Sequence, residues 1–349
     1  MVTVQTSRQN YGSDENGLVC GFVFEAGQNT KPLSADAARL WLTESGAASD
    51  QVSSSDQVSN SFVWLHFNLA NTAAERWLQR SLSLSPEFYD ALREGSRSTR
   101  VEYVDDQLVA VLNDVLFDFS FDHSQVSTLV LSVGQRVLVT GRSKTLRSID
   151  RLRVAVKAGE RFPSSTALLV HLLRDQSDVL TGIVRTSIEK VDVIEDRLLA
   201  GRIETKRAEL AQLRRVLVRL KRLLAPEPAA LFRLLSAPPE WMSEDDVNEL
   251  RQSTEEFSVS LSDIDTLQER IKLLQEEISA LVQEQNTRSL FVLSLFTVLA
   301  LPVNMVAGFF GMNVGGIPFA ENKAGFAIVV TAVLSVTAIV GWWLFRNRR

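Results

Sequence analysis

Two long uncharged stretches near the C-terminus limit most strongly what this chain can fold into. Residues 289–310 and 324–345 each comprise 22 residues without Asp, Glu, Lys, Arg, His or Cys. At a rise of about 1.5 Å per residue, each stretch forms a helix of about 33 Å, enough to cross a hydrocarbon layer of about 30 Å. Two buried helices in a soluble core are the alternative, which uncharged runs of this length disfavour. We therefore predict two C-terminal transmembrane helices.

The flanking charges predict the orientation of these helices. Arg288 precedes the first run, the C-terminal residues 346–349 contain three arginines, and the connecting loop 311–323 carries only Glu321 and Lys323 as charged residues. Because cytoplasmic flanks are enriched in basic residues, both termini are expected in the cytoplasm. The polar N-terminal tail, residues 1–17, has no apolar core of a signal peptide, which agrees with this orientation.

The composition excludes several classes of protein. With 37 basic and 42 acidic residues the formal net charge is −5, so the whole chain shows no signature of nucleic-acid binding. The single cysteine, Cys20, cannot form a disulfide or a thiolate zinc cluster within one chain. No phosphate-binding loop, metal-ligand cluster or nucleophile–base pair is recognisable. We expect neither an enzyme nor a bound cofactor.

Residues 18–162 are predicted to form a cytoplasmic α/β domain. Strands are expected at 62–67, 108–112, 127–133 and 136–140, with a tight hairpin at Gly134-Gln135, and helices at 34–43 and 72–80. The serine-rich stretch 45–60 is expected to be a loop. His66, in an apolar strand, and His171, in the helix after this domain, are assigned structural roles.

One group of residues in this domain allows a regulatory metal site. His123 lies close in sequence to Asp118 and Asp122, and these side chains could bind zinc. A turn of solvated polar residues is the preferred interpretation of the same group.

Beyond Pro163 the sequence becomes helical. We predict a cytoplasmic helical pair and connecting segment over 163–242, with a cap at Ser164-Ser165, helices at 166–201 and 203–224, and breaks at prolines 226, 228, 238 and 239. From residue 243 one long stalk helix is expected to continue to 310, and its last part, from about 289, is the first transmembrane span. Apolar residues with a spacing of three and four mark its packing seam: Ile264, Leu267, Ile271, Leu274, Ile278 and Leu281.

A second stripe with the same spacing runs through the first span. Its members are small, hydroxylated or polar, with two leucines between them: Thr287, Leu290, Ser294, Thr297, Leu301, Asn304, Gly308 and Gly311. Such stripes commonly serve helix–helix packing in membranes. Asn304 and Pro302 favour a stripe that faces water, because an intramembrane carboxamide and a freed backbone carbonyl both need polar partners. Two helices cannot enclose a lumen, so a pore would require several subunits.

The loop after this span carries a recognisable motif. Gly311-Met312-Asn313 stands at the end of the penultimate span, after a long helix and before one further span, and Val-Gly-Gly-Ile-Pro follows it. In these features the sequence resembles the CorA superfamily of divalent-cation transporters, and the second motif resembles its ZntB-like zinc-transporter branch. The resemblance covers residues from about 164 to 349 well, and the N-terminal domain only in general character.

The resemblance implies a homopentamer with a cytoplasmic funnel and a central pore in the bacterial inner membrane. It implies a selectivity mouth at Gly311, Met312 and Asn313. Its pore-lining positions coincide largely with the stripe, from Thr287 to Gly308. Glu321, the first acidic residue after the triplet, is the candidate for cation capture in the loop. The implied function is zinc transport, with uptake and proton coupling preferred; efflux, a broad magnesium, cobalt or nickel channel, and a membrane-anchored signalling scaffold remain alternatives.

The chemistry of the spans constrains how an ion would pass. Zinc prefers nitrogen and sulfur ligands, and the spans and their turn offer only the thioethers of Met305 and Met312. We therefore expect a largely hydrated Zn²⁺ to pass, with Leu290 and Leu301 as hydrophobic constrictions. An inside-negative potential of 100 mV favours entry of a dication by about 4.6 kcal/mol, which favours uptake. Neither span contains an Asp, Glu, His or Lys that could carry H⁺.

The second helix of the helical pair is strongly basic. Its basic residues are Lys206, Arg207, Arg214, Arg215, Arg219, Lys221 and Arg222. A solvated face beside the acidic stretch 240–256 is the preferred interpretation. An anion-holding surface, contact with lipid headgroups and an electrostatic gate near the inner mouth remain alternatives.

Overall fold

A computed structural model of the chain describes residues 12–25, 27–49, 61–94, 99–122, 124–201, 207–312 and 324–346. The chain divides into two compact units, with the boundary between Leu274 and Gln275. The first unit contains the sheet and most helices. The second contains the end of the long helix and the last helix.

A seven-stranded mixed sheet organises the first unit. Its strands are β1 (Leu18–Phe24), β2 (Lys31–Pro32), β3 (Phe62–Asn68), β4 (Arg100–Val104), β5 (Gln107–Val115), β6 (Val126–Val133) and β7 (Val137–Arg142). The strand order is β2-β1-β3-β7-β6-β5-β4. The pair β3–β7 is parallel and the other neighbours are antiparallel.

Nine helices surround or follow this sheet in the described residues. They are α1 (Ala35–Ser49), α2 (Thr72–Ser81), α3 (Pro86–Glu94), α4 (Arg147–Lys157), α5 (Ser165–Leu199), α6 (Arg207–Leu224), α7 (Pro226–Leu235), α8 (Glu244–Phe310) and α9 (Gly325–Arg346).

Both faces of the sheet are buried, which explains why its central strands are mainly apolar. All seven residues of β3 are buried, and alternate side chains enter different cores. Trp64 joins a core formed with α4, α5 and α7. Leu65 joins a second core formed with α1, α2 and α3. The sheet therefore lies between two helical layers, as the predicted α/β domain requires.

The predicted strands are confirmed, and several elements were missed. The four expected strands correspond to β3, β5, β6 and β7, and the N–H of Gly134 donates to Val137 O at 2.9 Å in the predicted hairpin. The strands β1 and β4 and the helices α3 and α4 were not predicted. The loop predicted for 45–60 is wrong at 45–49, because α1 continues to Ser49. The rest of that stretch, 50–60, lies outside the described residues.

The start of α5 follows the predicted cap. The Ser164 side chain accepts a hydrogen bond from the N–H of Ala167 at 2.9 Å, which satisfies one of the unpaired donors of the first turn. The helix α6 begins at Arg207, and residues 202–206 lie outside the described part of the chain.

The predicted end of the preceding helix at 224 is confirmed, because α6 ends at Leu224, but the helix that starts at Pro226 was missed. The helix α7 begins at Pro226 and contains Pro228 in its first turn. Proline is tolerated there because the first-turn N–H groups have no intrahelical acceptor, and its fixed φ suits a helix start. The connecting segment therefore contains a helix.

The helix α8 runs without interruption for 67 residues and contains Pro302. In the first unit its predicted seam is buried, with Ile264 and Ile271 fully inaccessible to solvent. Polar contacts accompany this packing: Thr181 on α5 lies 2.9 Å from the Ser260 hydroxyl, and Arg270 forms an ion pair with Asp192 at 2.7 Å. The two C-terminal helices, α8 and α9, are long and apolar enough to cross a membrane.

Candidate functional site

The polar stripe of α8 is exposed throughout the described part. Leu290 and Leu301, the bulkiest members, are 64% and 57% exposed. The remaining members are exposed as well: Thr287, Ser294, Thr297, Asn304, Gly308 and Gly311. The stripe is therefore not buried by any other residue that the structure describes.

A different face of α8 meets α9 inside the second unit. Partly buried residues recur on both helices: Phe291, Leu295, Leu299, Pro302 and Val306 on α8, and Val329, Val333, Thr337, Val340 and Gly341 on α9. A Cβ on Gly341 would lie 3.7 Å from Cδ2 of Leu299, so the two helices are in contact there. At 100° per residue this face is centred about 135° around the helix from the polar stripe. Packing against α9 does not explain the stripe.

The hydroxyl groups of the stripe present acceptor oxygens. Thr297 Oγ1 donates its hydrogen to Leu293 O at 3.0 Å, and Thr287 Oγ1 donates to Gln283 O at 2.9 Å. Each oxygen keeps lone pairs that face away from the helix. Water bound to a cation directs its hydrogens outward, so such oxygens suit the hydration shell of a cation.

Asn304 and Pro302 add polar groups near the middle of the apolar segment. Asn304 is exposed and provides a carboxamide oxygen and two N–H donors. Proline has no N–H, so Pro302 cannot donate to the carbonyl oxygen of Val298 one turn earlier. Inside a bilayer such polar groups need a partner, which water, a neighbouring helix or a hydroxyl side chain can supply.

The predicted mouth is only partly described. After α8 ends at Phe310, Gly311 N donates to Ala307 O at 3.0 Å, and Met312 is 49% exposed. Asn313 and Glu321 lie outside the described residues. Their roles in ion selection and capture stay predictions.

The basic helix α6 has a partner on α8. Lys221 forms an ion pair with Asp265, which lies beyond the acidic stretch expected beside it. Four further members are exposed, Arg207, Arg214, Arg215 and Arg222, and Arg219 is partly buried. Lys206 lies outside the described part. Exposure and this ion pair agree with a largely solvated face, and the anion, lipid and gate alternatives stay untested.

The candidate regulatory metal site is not assembled by the described residues. Asp118 and Asp122 are exposed, and Asp122 Oδ1 accepts a hydrogen bond from the N–H of Ser124 at 2.8 Å, which is typical of a polar turn. His123 lies outside the described residues. Among the residues that are described, no group of three or more His, Cys, Asp and Glu could hold a metal ion.

His66 has the structural role predicted for it. It is fully buried on β3, where Nε2 accepts from Arg142 Nε at 2.9 Å and Nδ1 lies 2.8 Å from Thr140 Oγ1. Burial, reinforced by the Arg142 charge, holds the pKa of His66 well below its usual value, so the ring is neutral. Arg142 was not identified from the sequence.

His171 lies in α5 between two carboxylates. Its ring nitrogens are 3.2 Å from Asp175 Oδ2 and 3.2 Å from Glu160 Oε1, and the ring packs edge-on against Phe162. Hydrogen bonding to Asp175 raises the pKa of His171 despite partial burial. These contacts tie the loop before α5 to the helix and agree with a structural role.

A buried carboxyl at the start of α7 was not predicted from the sequence. Glu227 is fully buried; Oε1 accepts from the N–H of Asn113 on β5 at 2.7 Å, and Oε2 accepts from Gln176 Nε2 on α5 at 2.9 Å. Burial raises the pKa of Glu227 to about 8. An acidic residue in the first turn of a helix is a common exposed feature, so its position alone does not reveal this burial.

The fold and the two apolar helices define a membrane protein with an N-terminal α/β domain and a long helix that continues into the first span. Residues 59–349 match the family model described as CorA-like Mg²⁺ transporter protein. The chain therefore belongs to the CorA-like family, whose members are transporters and not enzymes.

Relatives in this family include proteins named Zinc transport protein ZntB. The protein from Yersinia enterocolitica is 28% identical over 285 residues, which cover 82% of this chain and 87% of the relative. The protein from Klebsiella pneumoniae is 26% identical over 314 residues, which cover 90% of this chain and 96% of the relative.

Solved structures share the fold. The full-length CmaX protein superposes with a TM-score of 0.77 at 24% identity, covering 96% of this chain and 98% of CmaX. The CorA magnesium transporter of Methanocaldococcus jannaschii gives 0.71 at 18% identity, covering 93% and 97% of the two chains. These similarities confirm the predicted architecture of an α/β domain, a long helix and two C-terminal spans.

Proposed function

We propose that this chain transports zinc ions through a homopentameric pore lined by the polar stripe of α8. The observation that carries the proposal is the orientation of the stripe, which is exposed and lies on a different face from the one that packs against α9. The names of the ZntB relatives support zinc as the ion. Five copies would arrange five stripes around one lumen in the bacterial inner membrane, with both termini in the cytoplasm.

The ion passes as a largely hydrated species. The stripe offers hydroxyl and amide oxygens and no nitrogen or sulfur ligand of the kind that zinc prefers. Acceptor oxygens at Thr287, Thr297 and Asn304 hold the waters of the hydration shell, and Leu290 and Leu301 form apolar constrictions between them. Asn313 is proposed to form the first selecting ring at the mouth.

Uptake is the proposed direction, because the membrane potential alone drives a dication into an inside-negative cell. The spans contain no Asp, Glu, His or Lys. Proton coupling would therefore use water in the pore or titratable groups of the first unit.

The test is zinc flux into proteoliposomes that contain the purified protein, with and without an inward proton gradient, and with magnesium as competitor. Uptake that rises with the gradient and resists magnesium supports a zinc–proton symporter. Uptake that follows membrane potential alone and is blocked by magnesium would replace the proposal with a broad divalent-cation channel. Absence of any divalent flux from a verified pentamer would favour a signalling scaffold.

A further inference from the structure

The junction between the sheet and the helices of the first unit contains a proton-binding position. We propose that loss and gain of a proton at Glu227 switches how the start of α7 is attached to β5 and α5, so that this junction senses pH. The proposal goes beyond the transport function and does not depend on which ion crosses the membrane.

The contacts of Glu227 differ between its two protonation states. In the structure both carboxyl oxygens accept hydrogen bonds from N–H donors, a pattern that suits an ionised carboxylate. The same Gln176 Nε2 also donates to Asn113 O at 2.6 Å. A protonated Glu227 has an O–H that needs an acceptor. This network offers the Asn113 carbonyl, which already accepts from Gln176 and has a second lone pair, or the Gln176 amide oxygen after the amide turns. The turn of the amide breaks the Gln176–Asn113 bond, and either choice changes the hydrogen bond between Gln176 and Glu227.

The hydrogen-bond network around Glu227 includes residues of four elements. Asn113 Nδ2 donates to Leu223 O near the end of α6 at 3.3 Å, and the Thr99 hydroxyl donates to the same carbonyl at 3.3 Å. Glu227 thus belongs to one network that joins β5, α5, α6 and α7. Rearrangement of Gln176 alters the attachment of the helices to the sheet.

Burial makes the ionised form of Glu227 costly, and the surrounding charges do not offset this cost. Charged and titratable groups on the packed elements include Asp114 on β5, Arg174, Asp175 and Asp178 on α5, Arg100, Glu102 and Tyr103 on β4, Arg219, Lys221 and Arg222 on α6, and Arg233 on α7. Of these, Asp114 acts on Glu227 and disfavours its charge. In the part of the chain that the structure describes, no Lys, Arg or His forms an ion pair with Glu227. Glu227 is therefore either protonated or carries a negative charge that no ion pair neutralises, and the two forms differ in their hydrogen bonds.

Asp114 makes different hydrogen bonds from Glu227, and the two buried carboxyls differ in pKa. Its Oδ2 accepts from the N–H of Ser148 at the start of α4 at 3.0 Å, and its Oδ1 accepts from the N–H of Val115 at 2.7 Å. Burial raises the pKa of Asp114 to about 6, and these N–H donors oppose the rise. Asp114 is thus ionised at a pH at which Glu227 still holds its proton.

Hydrogen–deuterium exchange of the full-length protein in detergent, followed by mass spectrometry from pH 6 to 9, tests the proposal. After correction for the intrinsic pH dependence of exchange, peptides covering 99–116, 165–180 and 220–235 should change protection at least fivefold, with a midpoint near pH 8. Glu227→Gln, which is neutral at every pH, should abolish this change. Glu249→Gln, at an exposed position of α8, should retain it.

Equal protection of these peptides across the pH series in the wild type would overturn the proposal, as would an unchanged transition in Glu227→Gln. The wild-type series needs no substitution, so it decides the question even if the variant fails to fold. Absence of divalent-ion flux in the wild type would contradict the proposed function, and it would not alter the conclusion from the exchange measurement.

Discussion

The same spacing of three and four residues occurs in two parts of α8, and it has a different role in each part. In the first unit the spaced residues are apolar and buried, and Ile264 and Ile271 are fully inaccessible to solvent. In the membrane segment the spaced residues are polar or small with intervening leucines, and Leu290 is 64% exposed. One chain is sufficient to bury the first face. The second face is left exposed by the described residues of one chain, and inside a bilayer its polar groups need further subunits or water.

The polar contacts of the two parts show the same difference. In the first unit, Arg270 of α8 forms an ion pair with Asp192, and Ser260 lies at hydrogen-bond distance from Thr181. In the membrane segment the threonine hydroxyls donate to the backbone of their own helix, as Thr297 does to Leu293. Heptad spacing alone therefore does not reveal what a face contacts, whereas the side chains at the spaced positions do.

The largest expected effect comes from placing a charge in the stripe. Thr297→Lys would add one positive charge per subunit to the lumen, and we expect divalent-ion flux in proteoliposomes to fall at least about 100-fold, or about 2.7 kcal/mol in barrier height. Thr297→Ser keeps the hydroxyl and should retain flux within about twofold. Equal flux in the lysine variant and the wild type would show that the stripe does not line the pathway.

Truncation in the buried part of α8 should affect stability and not conduction. Ile271 is fully buried, so Ile271→Ala should lower the free energy of unfolding by about 2–5 kcal/mol. Leu273, two residues further on, is 57% exposed, so Leu273→Ala should change it by less than about 0.5 kcal/mol. Thermal unfolding in detergent measures both. Similar losses in the two variants would mean that Leu273 is buried in the assembled protein.

The buried Glu227 predicts a pH dependence of stability in the first unit. Its pKa in the folded state is about 8, above the ordinary value of 4.5, so the folded state binds the proton more tightly than the unfolded state. The resulting stability is complete well below pH 4.5 and is lost as the pH rises through 8, by on the order of 5 kcal/mol in total. Glu227→Gln should flatten this slope in unfolding curves recorded from pH 5 to 9. A slope that is as steep in the variant would assign the effect to other groups.

The smallest expected effect separates two neighbouring leucines of the membrane segment. Leu301 belongs to the exposed stripe, and Leu299 lies on the face that meets α9. Leu301→Ala should widen a constriction and raise flux about threefold. Leu299→Ala should leave flux unchanged and lower stability by about 1 kcal/mol. The reverse pattern would assign the lumen to the other face.

The membrane segment could be predicted well because its constraints are local. Charge-free length defines the spans, and the spacing from Thr287 to Gly311 defines the stripe without knowledge of any distant residue. The strands β3, β5, β6 and β7 were similarly recognisable from their β-branched and aromatic runs.

The errors in the first unit arose where tertiary contacts or position within an element outweigh residue type. Pro226 was expected only to break the chain after α6, but it also starts α7 because the first turn of a helix tolerates proline. Glu227, the next residue, is charged in isolation and buried in the fold, and its partners Asn113 and Gln176 are distant in sequence. Such a pairing has no local pattern and becomes visible only once the sheet and helices are assembled.

The central claim, that the stripe lines a water-filled pathway, is tested most directly by cysteine accessibility. Cys20→Ser removes the single native thiol, and one cysteine is then introduced either in the stripe, at Ser294 or Thr297, or on the face towards α9, at Leu295 or Leu299. A membrane-impermeant thiol reagent is applied to proteoliposomes during divalent-ion flux. We predict that it labels the stripe cysteines and blocks flux, and that it leaves the α9-facing cysteines unmodified. Labelling and block confined to the α9-facing positions, or equal at both faces, would contradict the account.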